Sequence, residues 1–158
     1  MSDRPTGTTD SAVAASRRAL LVGNPNVGKS VLFRALTGRF AIVSNYPGTT
    51  VEVTRGTART SGGSVEVIDT PGMNSLVPSG EDEAVTRDMV LSDRGATILL
   101  VVDAKNLRRG LALALQLLEF GRPFAVVLNM LDEARARGIE VDAAELSKRL
   151  GVPVFPAI

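Results

Sequence analysis

The sequence predicts a doubly wound α/β domain: a mostly parallel, six-stranded sheet with one antiparallel edge strand and helices on both faces. Three observations carry this expectation. Short apolar runs alternate with amphipathic helical segments, the pattern of parallel strands covered on both sides. A glycine-rich loop separates the first apolar run from the first helix. A Ser-Gly-Gly-Ser turn at 61–64 joins two β-rich stretches, as an antiparallel hairpin would.

The elements follow in order. Residues 1–17 read as a disordered tail, because up to about Ser16 they are rich in Ser, Thr, Gly and Ala, and Val13 is their one large apolar residue. An expression scar would have the same texture. Residues 18–158 read as one domain. Ala19-Leu20-Leu21-Val22 is the first strand, and a helix from about Lys29 to Thr37 is closed by Gly38. Residues 39–50 read as a polar loop. Val51-Glu52-Val53 alternates as an edge strand does, and pairs across the turn with Val65-Glu66-Val67-Ile68. Ser79 and Asp82 have the spacing of a capping box, opening a helix to about Leu91. Then come a strand over 97–102, a helix over 107–120 and a strand over 124–128. In that helix Leu107, Leu111, Leu115 and Leu118 read as the core face. Asp142 and Glu145 cap another helix to about Leu150, and a final strand spans 152–155. A closing helix is expected after it, so the domain reads as C-terminally incomplete.

Composition narrows the chemistry. The 158 residues are 44% hydrophobic and 22% charged, with 18 Lys+Arg against 17 Asp+Glu and a net charge of +1. That balance supplies no broad basic field, and 4% aromatic content offers few stacking surfaces, so nucleic acid is not an expected partner. With no cysteine and no histidine, disulfides, zinc fingers, Ser-His-Asp catalysis and imidazole or thiolate metal sites are excluded. Oxygen-ligated metals remain allowed. The longest apolar runs fall far short of the roughly 20 residues that cross a bilayer, and the N-terminus lacks a signal peptide's apolar segment. The chain by itself is expected to be cytoplasmic.

Three motifs carry chemistry. Gly23-Asn24-Pro25-Asn26-Val27-Gly28-Lys29-Ser30 fits G-x-x-x-x-G-K-S/T completely, after a strand and at a helix start that includes Val31. Backbone N–H groups of such a loop close around phosphate oxygens, and the helix dipole favours the anion. Lys29 would reach the β- and γ-phosphates and Ser30 would ligate Mg²⁺. Asp69-Thr70-Pro71-Gly72 ends the hairpin's second strand. There Asp69 can hold Mg²⁺ through water, and Gly72 can offer an unobstructed N–H to a γ-phosphate. Asn129-Met130-Leu131-Asp132 is an N-x-x-D arrangement after the 124–128 strand. The Asp132 carboxylate can accept paired hydrogen bonds from guanine N1 and N2, and adenine would leave it unpaired.

In this order the motifs resemble the translation-factor class of P-loop GTPases. More narrowly, residues 18–158 resemble the N-terminal G domain of the ferrous iron transport protein B family. The narrower resemblance rests on Asn45-Tyr46-Pro47-Gly48-Thr49-Thr50-Val51-Glu52, on Ser75-Leu76 after Gly72, and on Ser79-Gly80-Glu81-Asp82-Glu83 with Arg87-Asp88. It continues through 106–120 and Asn129 to Glu133 with Arg137-Gly138-Ile139. It implies a Mg²⁺-dependent GTPase converting GTP to GDP and phosphate. Thr50 matches the switch I threonine that binds Mg²⁺ and senses the γ-phosphate, with Thr49 as fallback. Asn26 matches the asparagine that helps bind K⁺ in potassium-dependent relatives, where a cation can offset charge that develops during phosphoryl transfer. The residues expected to carry catalysis are therefore Lys29, Asn26, Thr50 and Gly72.

Two departures temper this. Met73 stands where Ras-like enzymes place a water-orienting glutamine, so intrinsic turnover is expected to be slow. Met130 stands where many GTPases have a lysine packed along the guanine. The resemblance implies as partners GTP or GDP, a helical regulatory domain, a polytopic membrane domain and transient homo-oligomers, and it places the chain at the cytoplasmic face of the inner membrane if attached to that membrane domain. The loop that adds backbone contacts to guanine is cut off around 156–158. Two other readings stay open: a ribosome-assembly GTPase of the Era or Der type, and a nucleotide sensor that does not hydrolyse.

Overall fold

The computed structural model describes residues 17–158; the expected disordered tail lies, but for Arg17, outside the described residues. Arg17 itself opens β1 (Arg17–Gly23). The chain continues through α1 (Lys29–Thr37), β2 (Ala41–Asn45), β3 (Glu52–Thr60), β4 (Gly63–Asp69) and α2 (Glu81–Ser92). After these come β5 (Ala96–Asp103), α3 (Leu107–Glu119), β6 (Phe124–Asn129), α4 (Leu131–Ala136), α5 (Ala143–Leu150) and β7 (Val154–Pro156). The strands form one sheet in the order β2-β3-β4-β1-β5-β6-β7. β4, β1, β5, β6 and β7 are parallel, and β3 runs antiparallel to both of its neighbours.

The sheet therefore has seven strands where six were expected, and β3 is not its edge. The seventh is β2, Ala-Ile-Val-Ser-Asn, within the stretch read as a polar loop. All five of its residues are exposed, so hydrogen bonding to β3 on one side, and not burial, makes it a strand. An exposed edge of this kind leaves no inside/outside alternation in the sequence to read.

Burial explains the central strands. Leu20 and Val22 of β1, Ile98, Leu100 and Val102 of β5, and Val126 and Leu128 of β6 face α2 through Val85, Met89 and Val90, and α3 through Leu113, Ala114 and Leu117. On the other face Leu21, Val67 and Ala58 pack against Phe33 of α1. The core face of α3 differs from the leucine stripe expected. Leu115 and Leu118 are exposed, and the inward residues are Gly110, Leu113, Ala114 and Leu117. Gly110 sets that face, because a Cβ there would lie 2.4 Å from Val102 Cγ1. The helix must turn its smallest residue to β5.

The start of α2 also differs from its expected capping box. Gly80 is the N-cap and makes no side-chain cap. The work falls to Glu83, whose carboxylate accepts from Ser79 N and Oγ (both 2.8 Å) and from Asn74 N (2.9 Å). These donors pull the Glu83 carboxyl down to about 2 from the usual 4.5. A depressed carboxylate stabilises the fold above its unfolded pKa, and that contribution disappears as pH falls through the folded value. Glu83→Gln should thus reduce stability at pH 7 by on the order of 3 kcal/mol. The gap between the two proteins should narrow between about pH 4.5 and 2. Urea unfolding of both proteins at pH 7 and pH 3 checks this; a gap of equal size at both pH values would contradict it.

Candidate functional site

The carboxyl ends of the parallel strands bring the motifs together, as such sheets do with their ligand sites. Gly23 ends β1, Asp69 ends β4 opposite Leu21, and Asn129 ends β6 opposite Asp103 of β5. The phosphate-loop candidates run from Gly23 to Ser30, with Lys29, Ser30 and Val31 opening α1. Close packing dictates the glycines here. A Cβ on Gly23 would lie 2.4 Å from Val101 O, and one on Gly28 would lie 2.4 Å from Asn129 Nδ2. Gly28 also has φ +89°, where side chains are strained.

Asp69 is where the geometry concentrates. Ser30 Oγ donates to Asp69 Oδ2 at 2.8 Å, while Asp69 Oδ1 is buried without a hydrogen-bond partner. Burial pushes the Asp69 carboxyl up from its ordinary pKa, against the Ser30 hydrogen bond and the Lys29 charge, which lower it. Lys29 is itself buried, with Nζ 3.5 Å from Asn24 O, and burial depresses its ammonium pKa against the pull of Asp69. A hydroxyl and a carboxylate with one unsatisfied oxygen thus meet beside an under-solvated ammonium. An unpartnered buried oxygen is costly. The donor set is hard oxygen, which suits Mg²⁺.

Switch-loop candidates flank this centre. Thr70 donates Oγ1 to Leu21 O at 2.7 Å, and Pro71 O accepts from Thr86 Oγ1 at 2.9 Å. Gly72 lies against Pro25, where an added Cβ would come within 3.0 Å. Met73 N donates to Gly23 O at 3.0 Å and its side chain is fully buried in the core. In the other loop the Thr49 hydroxyl is taken up locally, donating to Tyr46 O at 2.9 Å and accepting from Val51 N at 3.1 Å. Thr50 is exposed and makes no hydrogen bond to Ser30 or Asp69. The structure does not bring it to them. Tyr46 OH donates to Asp88 of α2, the helix whose Thr86 also holds Pro71, so the two loops meet on one helix.

Asn26 is exposed with φ +63°, a conformation that asparagine tolerates. Asn129 Nδ2 donates to Val27 O at 3.0 Å and locks the β6 end onto the phosphate loop. Met130 adopts φ +60° and α4 starts directly after it, a helix the sequence reading did not anticipate. Asn129, Met130 and Asp132 line a cavity of about 280 Å³ with Gly28, Val31 and Leu32. Sequence reasoning missed Asn74, whose Oδ1 accepts from Arg109 (2.9 Å) and Asn24 (3.4 Å). It also missed Lys105, whose ammonium lies 2.7 Å from Glu133 Oε2. Neither residue type signals such a role by itself.

The family described as "Ferrous iron transport protein B" matches residues 17–158. The chain belongs to that family. It is 43% identical over 138 residues to the Fe(2+) transporter FeoB of Staphylococcus aureus strain COL, covering 87% of this chain and 20% of that protein. It is 44% identical over 142 residues to the Fe(2+) transporter FeoB of Salmonella typhimurium, covering 87% and 18%. The chain thus spans about a fifth of the length of these curated relatives. The G domain of the T. maritima FeoB iron transporter superposes with a TM-score of 0.82 at 38% identity, over 90% of this chain and 87% of that one. A mutant S. thermophilus NFeoB bound to GDP gives 0.82 at 41% identity, over 89% and 56%. The fold is that of the family's P-loop G domains, mostly parallel with an antiparallel edge. Among the described residues no helix is long and apolar enough to cross a membrane.

Proposed function

We propose that this chain is the GTP-hydrolysing G domain of a ferrous iron transporter, Mg²⁺-dependent and K⁺-stimulated. The observation that carries it is the Asp69 carboxylate, tied to Ser30 through Oδ2, unpartnered at Oδ1 and next to the buried Lys29 ammonium. Ser30 and Asp69, with Thr50 delivered by its loop, would hold Mg²⁺, which when bound neutralises charge on the β- and γ-phosphates. Lys29 and the backbone N–H groups of Gly23 to Ser30 bind and orient those phosphates. Gly72 contributes an N–H to the γ-phosphate, and Thr70 and Pro71 hold that loop against β1 and α2. Asp132 selects guanine by accepting from N1 and N2, and Asn129 couples that loop to the phosphate loop at Val27. The bound GDP of the S. thermophilus relative supports the nucleotide reading.

Water attacks the γ-phosphate in line. Met73 lies in the core and cannot orient that water, so backbone and switch-loop groups do, and turnover is slow. Loss of the γ-phosphate frees the loops around Thr50 and Gly72. The Tyr46–Asp88 bond passes that release to α2. The chain's share of its relatives' length leaves room for the helical and membrane domains that would receive the signal at the cytoplasmic face.

Asn26 is the proposed K⁺ ligand, an exposed residue within the phosphate loop. The test is GTP hydrolysis in KCl and in NaCl at equal ionic strength. K⁺ should stimulate turnover about tenfold or more, and Asn26→Ala should remove that stimulation while GDP still binds. Equal rates in both salts would sink the potassium role. Tight GTP binding without turnover would favour a sensor.

A further inference from the structure

Lys105 lies in the short 3-10 turn between β5 and α3, a position that reads as an ordinary solvated charge. The structure gives it a defined place. Its Nζ is 2.7 Å from Glu133 Oε2 and 3.4 Å from Asp103 Oδ1, and its side chain is only 13% exposed. Asp103 Oδ1 also accepts from Lys105 N at 2.8 Å, so one carboxylate fixes both the turn and the ammonium. The same Nζ donates to Met130 Sδ at 2.9 Å.

Both residues it holds on α4's side belong to the cavity lined by Asp132. Met130 occupies the left-handed turn that leads out of β6, and Glu133 follows Asp132 in the chain. The ammonium therefore grips the side chains of Met130 and Glu133, on either side of Asp132 in the chain. It also sits against the side chain at the position where many GTPases carry a lysine.

We propose that Lys105 is a positioning residue for purine selectivity: paired with Asp103 and Glu133, it fixes Met130 and Glu133 around Asp132. This rests on the guanine reading above. A lysine at position 130 would place a second ammonium against Lys105, so the two positions cannot both be cationic without repulsion. Lys105 and Met130 form a matched pair.

The test measures affinities of the chain for GDP and IDP by competition with a fluorescent GDP analogue. IDP lacks the exocyclic N2 amine that Asp132 accepts from, so the GDP/IDP ratio reports how well Asp132 is placed. Lys105→Ala should weaken GDP binding about tenfold and shrink that ratio, whereas Lys105→Arg should keep most of both. Met130→Lys alone should weaken GDP by a similar factor, and adding Lys105→Ala to it should restore affinity. A merely structural Lys105 would lower thermal stability and both affinities alike; an unmoved ratio and no rescue would overturn the inference. Should the unsubstituted chain bind GDP normally while those results fail, only this inference falls. Should it bind no guanine nucleotide, the guanine reading falls and takes the inference with it.

Discussion

Replacing Lys29 with alanine should lower kcat/KM for GTP by about 100- to 1,000-fold, in line with removal of one preorganised charge-stabilising donor. The nucleotide-free fold should barely change. Lys29 is buried, its nearest acceptor is Asn24 O at 3.5 Å, and burial already works against its charge. An ammonium held this way contributes little to stability on its own, so its removal relieves desolvation about as much as it loses attraction to Asp69. The melting temperature without nucleotide should stay within a few degrees, while the rise in melting temperature that GDP gives the native chain should largely vanish. A large loss of stability in the nucleotide-free protein, with GTP turnover retained, would show that Lys29 is a structural residue.

Gly28→Ala should be nearly as damaging by a different route. Its φ of +89° disfavours any side chain, and the new Cβ would lie 2.4 Å from Asn129 Nδ2. Asn129 would have to give up its 3.0 Å hydrogen bond to Val27 O, the bond that holds the base-side loop to the phosphate loop. Strain of about 1–2 kcal/mol and a buried amide losing its partner, about 1–3 kcal/mol, together predict a loss of roughly 2–5 kcal/mol. Gly151→Ala is the control. It shares the left-handed conformation, φ +71° and ψ 22° against φ +89° and ψ 20° at Gly28, and has nothing within 4 Å of the added Cβ, so it carries the strain without the clash. Calorimetry of both variants separates the two contributions, and equal losses would mean that the Asn129 contact carries no weight.

The parts of this molecule that were legible in the sequence are those in which backbone geometry and chemistry demand particular residues. The glycines at 23 and 28, the Asp69 that ends β4 and the Asn129 that ends β6 stand where close approach and strand termini place them. The buried strands were legible because their apolar runs have no other use. What stayed hidden depends on partners distant in sequence. β2 is a strand only because β3 lies beside it. The inward face of α3 is set by the fit of Gly110 to Val102, so a stripe of leucines misled. Glu83 caps α2 from inside the helix because Ser79 and Asn74 fold back over it. Arg122 is buried with Nη2 on Asp93 O at 2.9 Å, yet in sequence it looks like a turn charge. Lys105 gains its meaning only when α4 brings Glu133 within 2.7 Å.

The most direct test of the central reading is phosphate release by the unsubstituted chain with Mg²⁺, given GTP or ATP, in KCl and in NaCl. Slow release from GTP, faster in KCl and undetectable from ATP, is the predicted result. Equal turnover of GTP and ATP would contradict the role given to Asp132, and no binding of GTP at all would contradict the reading of Asp69, Ser30 and Lys29 as a nucleotide site.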